Sequence, residues 1–83
     1  MGGGKMNKEK QNYVYYIYFQ DEDLEPVYVV DWYEDSEGAF INVWSTYRDF
    51  AYIFTTYDQA KNVMIKLQAN DEWEKYLIGL IAL

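Results

Sequence analysis

The chain has no cysteine, no histidine and a single proline, Pro26. Without thiols there are no disulfide staples and no thiolate metal sites, which excludes the usual small secreted scaffold. Without imidazole there is no side chain that ordinarily titrates near neutral pH. Nor does the sequence carry a cysteine nucleophile, a G-x-S-x-G turn, a phosphate-binding glycine loop or a dinucleotide fingerprint, so neither an enzyme nor a cofactor is expected. Long apolar runs are missing too: "YLIGLIAL" at the end of the chain falls far short of the roughly 20 residues a membrane-spanning helix needs, and no membrane partner is expected. The opening "MGGGKMNKEKQN", residues 1–12, is polar, with no apolar run of the kind a signal peptide contains. It reads as a disordered arm of a cytoplasmic protein, with "MGGGK" resembling a cloning remnant ahead of a natural start at Met6. The rest, 13–83, is one domain, too small to bury more than about 60% of its unfolded surface.

Positive charge is scarce where it would matter most. Lys5, Lys8 and Lys10 precede residue 12 and Lys61, Lys66 and Lys75 follow residue 59, leaving Arg48 alone between them. Ten carboxylates lie from Asp21 to Asp58, so that region carries −9 against −7 for the whole chain. Such a field repels phosphate backbones and attracts basic surfaces. Tyrosines on a sheet can stack bases, but the phosphates would meet the wrong sign of charge, so direct nucleic-acid binding is not expected.

What the sequence has in abundance is tyrosine beside acid. Residues 12–38 hold six tyrosines, Trp32 and eight carboxylates. From Tyr13 the pattern has period two, with Tyr13, Tyr15, Ile17 and Phe19 facing one way and Val14, Tyr16 and Tyr18 the other; both faces are apolar or aromatic, which indicates a central strand. "QDEDLEP" breaks it at Pro26. A second strand runs from Val27 to about Glu34, with Tyr28, Val30 and Trp32 expected on one face and Val29, Asp31 and Tyr33 on the other. "EDSEG" forms a turn closing on Gly38, where positive φ costs little. In "AFINVWSTY" Ile41, Val43 and Tyr47 alternate with Phe40, Asn42, Trp44 and Thr46. "AYIF" is either a fourth strand or the chain's return to the sheet.

"TTYDQAKNVMIKLQAN" is the clearest helix signal. Thr56 is the expected N-cap, Gln59 completes a capping box, Asp58 complements the dipole, and Asn70 suits the C-terminal cap. Ala60, Val63, Met64 and Leu67 make one apolar stripe. The last segment reads as a buried strand more than a second helix, although Trp73, Leu77 and Leu80 also fit helical spacing. The expected fold is α+β: a mostly antiparallel sheet of four or five strands with one helix packed on one face, in the order β-β-β-(β)-α-β.

The carboxylate pairs in "DED" and "EDSE" lie in solvated turns, where nothing desolvates one member to make it an acid. Asp21, Asp23 and Glu25 have the spacing that opens a calcium loop, but Pro26 stands where that loop needs glycine and Trp32 where it needs glutamate, so no metal is expected. One helix covers one sheet face, and the tyrosines left over exceed what it can bury. Tyrosine offers rigid contact area at low entropic cost, which suggests a protein interface.

Residues 44–67, "WSTYRDFAYIFTTYDQAKNVMIKL", resemble a pattern of small uncharacterised accessory proteins of phages and prophages of low-GC Gram-positive bacteria: an A-x-x-F strand leading through a Thr cap into a helix with an early alanine. Here those positions are Ala51, Phe54, Thr56 and Ala60. The resemblance implies a host-takeover or counter-defence factor, the class that includes DNA mimics and anti-CRISPR or anti-restriction inhibitors, working in the host cytoplasm. Function is therefore expected to be non-enzymatic binding to a protein with a basic surface. The expected contact residues are the acidic Asp21, Glu22, Asp23, Glu25, Glu34, Asp35 and Glu37 with the aromatic Tyr16, Tyr18 and Tyr33. The alternative is a structural domain that forms a homodimer through its aromatic face or apolar last strand, its acidity serving solubility alone.

Overall fold

The computed structural model describes residues 12–20, 24–70 and 75–83. Expectations that fall on the arm 1–11, on Asp21, Glu22 and Asp23, and on Trp73 lie outside the described residues. The elements are β1 (Tyr13–Phe19), β2 (Val27–Glu34), β3 (Phe40–Ser45), a single 3-10 turn (Arg48–Phe50), α1 (Tyr57–Asn70) and β4 (Leu77–Ala82). The four strands form one antiparallel sheet in the order β3-β2-β1-β4, with α1 packed across one face. This is the α+β architecture that the alternation of the strands and the stripe of the helix imply. β1 is central, as its two apolar faces require.

β2 departs from simple alternation. Its register with β3 shifts between Val29 and Asp31, so Val30 is the extra residue of a β-bulge. A one-residue slip moves every later side chain to the opposite face. Val27, Val29 and Trp32 consequently all pack toward the helix, while Tyr28 and Tyr33 share the other face. The expected grouping of Tyr28 with Trp32 is thereby corrected.

β1 and β2 are in register only at Tyr18↔Tyr28 and Phe19↔Val27, and then they diverge. The segment after the 3-10 turn fills the gap. Phe54 exchanges both backbone bonds with Tyr15 (2.9 and 2.8 Å), and the Tyr52 N–H donates to the Val29 carbonyl (3.0 Å). Trp32 stacks on Phe54 at 5.5 Å and meets Tyr52 edge-on at 4.8 Å. "AYIF" is thus the chain's return, a wedge joined to β1 by one bridge, and the sheet has four strands.

Ile17, Val29, Ala60 and Leu67 are fully buried, closed in by Phe19, Phe54 and Tyr76. Val63 and Met64 complete the helix stripe. Thr56 Oγ1 accepts the Gln59 N–H at 3.2 Å, a side-chain N-cap. Gln59 does not close the box as expected; its Oε1 accepts from Thr55 Oγ1 instead. At the other end Asn70 reaches across to β3, donating to the Phe40 carbonyl at 3.1 Å, and Gln68 Oε1 accepts the Tyr76 N–H at 2.9 Å. The helix terminus is thus tied to both β3 and the approach to β4. The last segment is a strand but not a buried one: β4 is an edge, with Leu80 60% and Leu83 76% exposed. Asn12, assigned from sequence to the arm, accepts the Leu83 N–H and extends the β1–β4 ladder.

Candidate protein-interaction surface

Cα partners in an antiparallel pair present their side chains to the same face. Tyr16 pairs with Gly79, Tyr18 with Tyr28 and Leu77, and Tyr33 with Ile41, which puts all of these on the face opposite α1. Tyr16, Tyr18 and Tyr28 form a half-buried cluster with ring centroids 5.7, 5.9 and 6.4 Å apart. Tyr33 lies further along β2 and is 55% exposed. Gly79 makes the cluster possible, because a Cβ there would run into the Tyr16 ring, which lies across it. The Arg48 guanidinium sits over the same ring, 5.9 Å from its centroid, a cation–π contact that places the one cation of the acidic region on this face.

The exposed acids Glu25, Glu34 and Glu37 lie at the two ends of β2, and Glu34, the partner of the core-packed Phe40, is on the helix side of the sheet and not on the tyrosine face. Glu25 is exposed just before β2, and Glu34 and Glu37 are exposed at its far end. Eight residues of strand separate these groups, about 26 Å at 3.3 Å per residue. Glu25 is therefore not brought together with Glu34 and Glu37. Asp35 has another task. Its Oδ1 accepts the N–H groups of Glu37 (2.8 Å) and Ala39 (2.9 Å), and its carbonyl accepts the Gly38 N–H (3.0 Å), closing the turn in which Gly38 takes φ +84°. Asp31, exposed at the bulge, accepts the Trp32 N–H at 2.8 Å.

Of the expected contact residues, Tyr16, Tyr18 and Tyr33 share one face, Glu25 and Glu37 are exposed beyond the ends of β2, Glu34 is exposed but on the opposite, helix-side face, Asp35 is engaged in the turn, and Asp21, Glu22 and Asp23 lie outside the described residues. Sequence reasoning missed Tyr28 and Arg48. The face of Tyr28 is set by its pairing with Tyr18, a register that the sequence of β2 alone does not mark.

A shallow groove of about 390 Å³ lies on the helix side between Gly38, Phe40, Lys66 and Asn70, with the Lys66 ammonium 5.0 Å from the Phe40 ring centroid. No group of three metal-ligating side chains occurs among the described residues, and none of their helices is long and apolar enough to cross a membrane. No protein-family model, curated protein or solved structure matches the chain.

Proposed function

We propose that this chain is a small, non-enzymatic binding module that engages a protein through its tyrosine face, with the exposed acids at both ends of β2 steering a basic partner onto it. The observation that carries this reading is the Tyr16–Tyr18–Tyr28 cluster on the sheet face opposite the only α-helix of the described residues. Interface hot spots are enriched in tyrosine, and charges at a rim set association rate and partner choice more than final affinity. In its specific form, the partner is a nucleic-acid-handling protein and the module a phage-type inhibitor of the anti-CRISPR or anti-restriction class, acting in a host cytoplasm. The acidic stretch and the resemblance over residues 44–67 support that form.

Capture from a bacterial lysate at about 0.1 M and 1 M salt tests the reading, because the Debye length falls from about 10 Å to about 3 Å over that range. Recovery of a basic protein that declines with salt and is lost on Tyr18→Ser is expected. DNA or guide RNA should compete for that protein if the module occupies a nucleic-acid channel. A captured protein that binds nucleic acid and this chain at once rules out mimicry; recovery indifferent to Tyr18→Ser rules out the face.

A further inference from the structure

The outer edge of β4 carries no strand among the described residues. Its backbone polarity follows from two observed contacts. Tyr15 spends both its backbone groups on Phe54, away from β4, whereas Asn12 accepts from Leu83, toward it. Alternate residues of a strand bond in opposite directions, so Val14, Tyr16 and Tyr18 bond to Ile81, Gly79 and Leu77. Ile78, Leu80 and Ala82 therefore aim their N–H and C=O groups outward, a ready template for another strand.

Within Leu77–Ala82 no residue discourages pairing. Leu77–Ala82 holds no charge and no proline, in a chain of net charge −7, and its Leu80 and Leu77 are 60% and 40% exposed. Natural edges are usually blunted by lysine, proline or a bulge. A neutral strand does not select a basic partner, and it suits an equally neutral, apolar one.

We propose that β4 pairs antiparallel with β4 of a second copy, with Leu80 on the two-fold axis. In this register Leu80 faces its own counterpart and Ile78 faces Ala82 of the other copy. Every outward N–H and C=O group of Ile78, Leu80 and Ala82 then finds a partner, and the exposed leucines cover one another. A register centred on Gly79 would require Tyr76, whose N–H is already given to Gln68. The symmetry is isologous, and the two sheets become one continuous sheet of eight strands. Both tyrosine clusters end on the same face, about 15 Å apart at three strand spacings of 4.8 Å. A partner with two contact points would then gain from bivalency. About seven residues a side is well below the 20–30 of a standard interface, so the dimer is weak, with Kd in the micromolar to sub-millimolar range.

Two like-charged copies repel, so salt should strengthen this dimer, the reverse of its expected effect on a basic partner. Sedimentation equilibrium of the full chain is expected to show a monomer–dimer equilibrium that shifts toward dimer from about 0.1 M to 1 M NaCl. Leu80→Lys, which sets two ammonium groups face to face, is expected to abolish it with the circular dichroism spectrum retained. Because the chain has no cysteine, Leu80→Cys supplies an independent arm. Hydrogen-bonded partners stand about 5.5 Å apart at Cα, within disulfide range, so this variant should oxidise to a covalent dimer about tenfold faster than Tyr47→Cys, a slightly more exposed site off the sheet. A strict monomer up to about 1 mM chain, or equal cross-linking rates for the two cysteine variants, would overturn the proposal.

Discussion

At the scale of single residues, the carboxylates divide by what they touch, and their substitutions should divide the same way. Asp35 holds a turn with two backbone N–H groups, so Asp35→Ala should cost about 1–3 kcal/mol in urea unfolding. Glu34→Gln and Glu37→Gln change exposed groups and should stay within about 0.5 kcal/mol. Equal costs at all three positions would show that the turn is not built on Asp35. Composition alone cannot separate these acids, because a charge run looks the same whether its members face water or cap a loop. Gly79 offers a second check. Alanine there displaces the Tyr16 ring but relieves the entropic cost of glycine in a strand, so stability should move by less than about 1 kcal/mol while the near-UV tyrosine signal changes. An unaltered near-UV spectrum would contradict the close packing of Tyr16 on this position.

The secondary-structure elements were legible to different degrees. Period-two alternation located β1 and β3, and the stripe Ala60, Val63, Met64 and Leu67 located α1, since each pattern follows directly from which side must be dry. The bulge at Val30 was not legible. It is a backbone event that changes the phase of the alternation without changing its composition, and it turned Trp32 to the helix side, away from the face that Tyr28 shares with Tyr18. The exposure of β4 was also hidden, because an apolar run looks the same at the edge of a sheet as at its centre. The wedge is the element on which the most rests, as Phe54 closes the gap that the divergence of β1 and β2 opens. Phe54→Ala should cost about 3–5 kcal/mol. For a chain of 83 residues with a total stability of about 4–12 kcal/mol, that is enough to lower the melting temperature by more than about 10 °C. A loss below about 1 kcal/mol would mean the sheet does not need the wedge.

At the scale of the whole molecule, the described residues give a sheet with one face covered by α1 and one aromatic face, with exposed acids at the two ends of β2. One short helix cannot dress both sides of a four-stranded sheet, and that mismatch is readable in the sequence from the count of strands and helices. That acids would flank β2 was readable, but which face Glu34 takes was not, since it depends on the bulge and on the register with Phe40. The central claim is that the tyrosine face makes the contact and the acids steer it. The most direct measurement is the affinity of the captured partner for three chains at about 0.1 M salt: the parent, Glu25→Gln/Glu34→Gln/Glu37→Gln, and Tyr18→Ser/Tyr33→Ser. The tyrosine variant should lose at least about tenfold in affinity, chiefly through faster dissociation, and the acid variant should lose mainly association rate. A tyrosine variant that binds as tightly as the parent would contradict the claim.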